Sequence, residues 1–208
     1  MCRMMATNYI GAFCLTKILL PLLENSPVPS RVVNVSSFTH WNVPVFSPLV
    51  CCRQVDKETV SGKRFMISNC YPYAQIYEYS KLCLLLFSYE LHRQFQLMEK
   101  SRHLSVVAVD PGAVKTNIMR EIPSCISQSA YIVLKLLGLL QSPEIGVRSI
   151  LDASLASPEV SGVYFFGGNG TTLNSSALSC DSKLAKDLWA TSCILFNELQ
   201  ACSSIIRD

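Results

Sequence analysis

Leu104-Ser105-Val106-Val107-Ala108-Val109 reads as a strand with almost no solvent-facing side, and Asp110-Pro111-Gly112 stops it at once. A strand that is apolar on both alternating faces is covered from both sides, which is the habit of parallel sheets. Parallel strands need crossover connections, and these are usually helices. Helical periodicity is found on either side of the run. Residues 7–24 repeat Tyr9, Ala12, Phe13, Thr16, Leu19, Leu20 and Leu23 at helical spacing, and a second helix over 74–100 carries Leu82, Leu85, Leu86, Tyr89 and Phe95. Further helices are predicted over 126–140, 143–156 and 181–200, with strands at 31–36 and 163–166, the last closed by Gly167-Gly168-Asn169-Gly170. Strand and helix alternate, so the fold class is α/β with a parallel sheet and flanking helices. The stretch 38–72, with Pro44, Pro48, Gly62 and Pro72, reads as a loop or insertion. There are no repeats and no boundary, so 1–208 is taken as a single domain.

Composition excludes several classes. With 50% hydrophobic and 16% charged residues the chain is not disordered. A net charge of +3, with Arg53, Lys57, Lys63, Arg64 and Lys100 forming no run, is a poor footprint for a nucleic-acid binder. No pair among the ten cysteines has C-x-x-C spacing, so they read as reduced, mostly structural thiols. His40, His92 and His103 are scattered and support no metal site. The apolar start is interrupted by Lys17 and followed by no small-residue cleavage site, so no signal peptide is expected. No uninterrupted apolar run reaches the roughly 18 residues of a membrane span, and an intracellular location, cytoplasmic or peripheral to a membrane, is expected. Tyr131–Leu140 is very apolar and reads as a core or lid helix, with contact to a membrane surface as the alternative.

In open parallel sheets chemistry gathers at the carboxyl ends of strands, here Ser36-Ser37 and Pro111-Gly112. Between them in sequence, Tyr77 and Lys81 stand one helical turn apart on one face. A phenol ordinarily titrates near pH 10. An ammonium about 4 Å away at an effective dielectric of ~20 favours the phenolate by roughly 4 kcal/mol, which would bring it to about 7, where a general acid/base works best. Tyr-x-x-x-Lys alone is common on solvated helix faces; the chemistry rests on its company.

That company resembles a known family. Asn8-Tyr9-Ile10-Gly11-Ala12-Phe13, Arg31-Val32-Val33-Asn34-Val35-Ser36-Ser37, Tyr77-x-x-x-Lys81 and Asp110-Pro111-Gly112-Ala113-Val114-Lys115-Thr116 follow the order seen in short-chain dehydrogenases/reductases. The likeness is greatest to the retinol-dehydrogenase-like branch, including plant relatives of family member X. It implies an NAD(P)-dependent oxidoreductase interconverting an alcohol and a carbonyl, with a lipophilic substrate. Carried over by motif, Asn8 organises a water-linked proton relay, Ser37 orients the substrate, Tyr77 donates or accepts the proton, and Lys81 lowers its pKa and holds the nicotinamide ribose. Tyr77, Lys81, Pro111, Gly112, Val114 and Thr116 resemble the surroundings of the cofactor, NADP or NAD.

Two departures carry consequences. Ser37 and Tyr77 are farther apart than the family usually has them, so an insertion near the substrate entrance is expected. No Gly-x-x-x-Gly-x-Gly phosphate loop occurs anywhere, and Gly167-Gly168-Asn169-Gly170 follows a late strand and opens no helix. The resemblance therefore implies a truncated Rossmann-like sheet, family strands 5, 6 and 7, whose first strand presents an open edge to other chains. The alternative to an enzyme is a catalytically incompetent fragment that cannot hold the dinucleotide and acts through a partner or by self-association at that edge.

Overall fold

The computed structural model describes residues 1–43, 55–67, 73–97, 104–117, 124–167 and 170–205. Pro44, Pro48, Cys51, Cys52, Arg53, Cys70, Pro72, Lys100, His103, Gly168 and Asn169 lie outside the described residues. Helix α1 runs Arg3–Glu24, with a π-helical turn at Ala6–Ile10. Strand β1 (Ser30–Val35) is followed by a 3-10 turn at Phe38–Asn42, short helix α2 (Lys57–Val60) and long helix α3 (Tyr73–Leu97). Next come β2 (Leu104–Asp110), β3 (Ala113–Val114), α4 (Ser124–Leu136), β4 (Leu140–Gln141) and α5 (Pro143–Leu155). The chain closes with β5 (Tyr164–Phe166), β6 (Thr172–Leu173) and α6 (Ser182–Ile205).

The main sheet has the order β1-β2-β5-β6. β1 pairs in parallel with β2 from Ser30↔Leu104 to Val35↔Val109, and β2 in parallel with β5 from Ala108↔Tyr164. Every residue of β2 is buried, as its apolar run requires. Leu104 and Val106 turn to α1, α3 and α6, whereas Val107 and Val109 turn to Ala153 of α5. After β5, Gly167 and Gly170 have φ of +74° and +67°, and β6 pairs back antiparallel. Among the described residues β1 is paired on one side only, so one edge of the sheet is open.

Helix α1 is long and apolar enough to cross a membrane by length and composition. Its Tyr9 and Phe13 are nonetheless core residues. Phe13 sits 5.3 Å from Phe87 and 5.4 Å from Trp189, ring centre to ring centre, and Tyr9 Oη pairs with Ser192 Oγ at 2.7 Å. That aromatic cluster joins α1, α3 and α6. Arg31 makes a second joint: its guanidinium donates to the carbonyls of Ala153 (2.8 Å), Ala156 (2.7 Å) and Ser157 (2.6 Å), filling the orphan acceptors at the end of α5. The stretch expected to be an irregular insertion is structured where described. Val60 and Thr59 are buried, Phe65 packs on Tyr79 at 5.3 Å, and Cys2 N–H donates to Ser61 O. Tyr79 lies about 200° round the helix from Tyr77, so 55–67 packs away from the proposed chemistry rather than at its entrance. Among the described residues Cys2, Cys14, Cys83, Cys180, Cys193 and Cys202 are not in disulfides.

Candidate active site

The site is assembled where β1 and β2 end. Ser36 N–H continues the ladder onto Val109 O (2.8 Å), and Ser36 Oγ donates to Lys81 O (3.1 Å), tying the strand end to α3. Ser37 therefore emerges at the carboxyl end of β1, in extended backbone, as the cap of the 3-10 turn; its Oγ accepts from Thr39 N–H at 3.3 Å. The Ser37 side chain also acts on the Tyr77 hydroxyl, favouring its ionised form. Lys81 Nζ lies 5.5 Å from the centre of the Tyr77 ring and donates to Val35 O at 3.0 Å. Ser37, Tyr77 and Lys81 are thus in one cluster. Asn8 stands beside it: Nδ2 donates to Ser80 Oγ (3.1 Å), which donates to Tyr77 O (2.7 Å), so the amide reaches the turn of α3 next to Lys81 rather than Lys81 itself.

The electrostatics correct the sequence argument on one point. Tyr77 is shifted above its ordinary value, not down to neutrality. Burial is the largest cause, the Asp110 carboxylate adds to it, and the Ser37 side chain opposes it. Lys81 does not offset this: its ammonium lies over the ring and is engaged by Val35 O. Burial in turn pushes Lys81 down, with Asp110 opposing. A negative charge beside both groups supports the ammonium and disfavours the phenolate.

Asp110 and His40 carry the geometry of Ser37, and sequence reasoning gave neither a role. Asp110 is buried and accepts from Gly112 N–H (2.7 Å) and Tyr164 Oη (3.0 Å). The backbone of Phe38, the residue after Ser37, also lowers its pKa, and burial, the largest cause, raises it against these groups. His40 is 1% exposed. Ser176 N–H donates to its Nε2 at 3.2 Å, so the proton is on Nδ1, which donates to Ser37 O at 2.6 Å. The signals were a buried-strand aspartate and a lone histidine three residues after the serine; neither has a recognisable spacing.

This neutral histidine gives a pH prediction. Burial, opposed by the Ser37 bond, holds His40 below its ordinary value, so the unfolded chain binds a proton that the folded one refuses. Stability is complete above about pH 6.5 and falls as pH drops below it. Thermal melts between about pH 7.5 and 5.5 should show a falling midpoint, with the fall reduced in His40→Gln. An equal fall in that variant would assign the effect to His92, which burial also lowers.

Pro111, Gly112, Val114 and Thr116 form a braced loop after β2. Gly112 has φ +77° and a Cβ there would meet Gln141 Oε1 at 3.0 Å, so the turn demands glycine. β3 pairs in parallel with β4 and Lys115 N–H adds a bond to Gln141 O. Val114 packs so closely on α5 that a Cβ at Gly146 would lie 2.4 Å from Val114 Cγ2. Tyr131 Oη of α4 donates to Thr116 O at 2.5 Å. Lys81, with spare ammonium protons, and this loop fit the nicotinamide-ribose half of a dinucleotide. Among the described residues nothing fits the pyrophosphate: the sequence holds no Gly-x-x-x-Gly-x-Gly loop, and Gly167 and Gly170 flank an antiparallel strand pair. Thr7, Asn8, Val35 and Lys81 instead line a groove of about 500 Å³ along the open edge of β1. Among the described residues no cluster could hold a metal ion.

No family model matches the chain. Individual relatives do. Polyprenol dehydrogenase of Danio rerio is 33% identical over 195 residues, 90% of this chain and 53% of that protein. The Homo sapiens polyprenol dehydrogenase is 31% identical over 89% of this chain and 52% of its own length. A chloroplastic short-chain dehydrogenase, TIC 32 B of Brassica napus, is 29% identical over 93% of this chain and 57% of its own length. The chain thus spans about half the length of the curated relatives it matches. Among solved structures, a Mycobacterium paratuberculosis protein superposes with a TM-score of 0.59 at 26% identity, covering 93% of this chain and 58% of that one. The NADPH-bound carbonyl reductase from chicken fatty liver shares the fold, with a TM-score of 0.50 at 17% identity over 83% of this chain and 57% of that one. Over nine-tenths of its length, then, this chain is similar to proteins of the short-chain dehydrogenase/reductase family, and it shares their α/β fold.

Proposed function

We propose that the chain carries the proton-transfer side of an oxidoreductase site that interconverts a lipophilic alcohol and its carbonyl. The supporting observation is the cluster itself: a serine whose side chain acts on a tyrosine hydroxyl, with a lysine ammonium one turn on, at the ends of two parallel strands. Ser37 holds the substrate oxygen. Tyr77 gives that oxygen a proton in reduction and removes it in oxidation. Lys81, steadied by Val35 O and Asp110, sets the charge beside the phenol and holds the ribose of the cofactor. Asn8 passes protons from the groove side. Pro111, Gly112, Val114 and Thr116 border the nicotinamide. When bound, NADP or NAD would supply or accept the hydride. Relatives named polyprenol dehydrogenase and retinol dehydrogenase favour a long isoprenoid-type alcohol or aldehyde as substrate.

A second reading follows from the missing phosphate loop: the 208 residues alone hold the dinucleotide weakly and pair with a partner, or with each other, along β1. Calorimetric titration with NADPH separates the two. The chain alone is expected to show no micromolar binding, and micromolar binding would overturn the second reading. Preceded by a segment bearing Gly-x-x-x-Gly-x-Gly, the chain should bind NADPH and oxidise a polyprenol. An extended chain that binds NADPH but turns over no alcohol or carbonyl defeats the first.

A further inference from the structure

The apolar segment over α4 and its exit has no cover within the described protein. Leu136 is 82% and Leu137 64% exposed, with Ile132, Val133 and Leu139 also turned outward. The helix ends in a tight cap: Gly138 N–H donates to Lys135 O at 3.1 Å, Leu139 N–H to Leu134 O at 2.9 Å, and Gly138 has φ +68°. This cap makes the leucines a protruding knuckle instead of a seam along the body. Continuous exposed apolar surface of this kind marks an interaction site.

Charge decides what it fits. Between Ser124 and Pro143 the sequence has no acidic residue, and its one charged residue is Lys135, set among the leucines. Lys135 is exposed, as is Lys115, whose N–H is bonded to Gln141 O at the foot of the knuckle. Arg148 is a third exposed cation, on α5, with the acids Glu144 and Asp152 each one turn away. Leucines pointing outward with long cations beside them, whose stems can snorkel, are the make-up of an interfacial lipid-binding element. A soluble protein partner would require complementary acids on its own surface but would not account for an apolar tip with lysine at its centre.

We propose that this knuckle docks the protein on an anionic phospholipid bilayer. Its placement ties docking to the site. The Tyr131 hydroxyl holds Thr116 O, and β4 pairs with β3, so the element touching lipid is bonded directly to the Pro111–Thr116 loop. A lipid-borne alcohol would then reach Ser37 and Tyr77 from the bilayer side. That last step rests on the proposed function; the docking does not.

Vesicle flotation needs no cofactor and no turnover, so its outcome is independent of the catalytic reading. Vesicles of phosphatidylcholine with about one-third phosphatidylserine should carry the chain upward, and vesicles of phosphatidylcholine alone should carry less. Leu136→Asp with Leu137→Asp should lower the bound fraction at least about tenfold with an unchanged circular-dichroism spectrum, whereas Leu22→Asp on exposed α1 should not. Lys135→Glu should weaken binding to the anionic vesicles only. No flotation, or flotation that survives the double change, overturns the proposal. A concentration-dependent dimer that the double change turns into a monomer without lipid also overturns it, assigning the knuckle to a second copy of the chain.

Discussion

Phe13→Ala is expected to remove about 3–5 kcal/mol of folding stability. That is a large part of the 5–15 kcal/mol that holds a typical domain together. The ring is fully buried, and its contacts come from three separate helices: Tyr9 on its own helix at 6.3 Å, Phe87 at 5.3 Å and Trp189 at 5.4 Å. No neighbour can collapse into the gap cheaply, because Phe87 is itself stacked on Trp189 at 5.9 Å. Urea unfolding followed by tryptophan fluorescence measures the loss directly, since one of the chain's two tryptophans is in the cluster. Leu15→Ala, two positions on and 59% exposed, should change stability by no more than about 0.5 kcal/mol. Equal losses in the two variants would show that α1 is not anchored by its aromatic face.

Tyr77→Phe, made in the chain extended by a glycine-loop segment, is expected to lower turnover by about 10²–10⁴-fold. The change deletes one oxygen, the one Ser37 acts on, and it leaves the ring under the Lys81 ammonium. Folding and NADPH affinity should therefore be nearly unchanged, with kcat and kcat/KM falling together. The sign of the pH dependence follows from the raised pKa. Oxidation of an alcohol needs the phenolate, so the parent rate should climb through the alkaline range. Reduction needs the protonated phenol and should hold until that range is reached. The phenylalanine variant should lose both limbs. Retained turnover with an intact profile would remove Tyr77 from the chemistry.

The fold was legible where burial and periodicity coincide. β2 was readable because it is apolar on both faces, and α3 because Leu82, Leu85, Leu86 and Phe95 follow one helical stripe that the structure buries. Short polar or two-residue pairings such as β3 with β4 and β6 with β5 carry no such signal; tertiary placement creates them. The stretch around Val60 and Phe65 looked like loop because its apolar residues are too few for a period, yet they plug the core from outside. In the candidate site, the motif order pointed to Ser37, Tyr77 and Lys81, which the fold brings together. What it could not reveal was sign and support: the tyrosine is pushed up rather than down, because burial and Asp110 act on it. The histidine that holds Ser37 O is visible only once β1 and the Ser176 turn are folded together.

The π-helical turn at Ala6–Ile10 has a consequence for how this segment tolerates change. Its wide coil lodges one more residue than an ordinary turn, and it lets Cys2 and Met5 on one side and Tyr9 and Phe13 on the other face the interior together. Loss of the codon for Ala6, Thr7 or Ile10 would swing the residues on its two sides about 100° out of phase and strain the Asn8–Ser80 contact, although Asn8 and Tyr9 were still encoded. Here the count of residues is under tighter constraint than their kind, and length variants should be harsher than point substitutions.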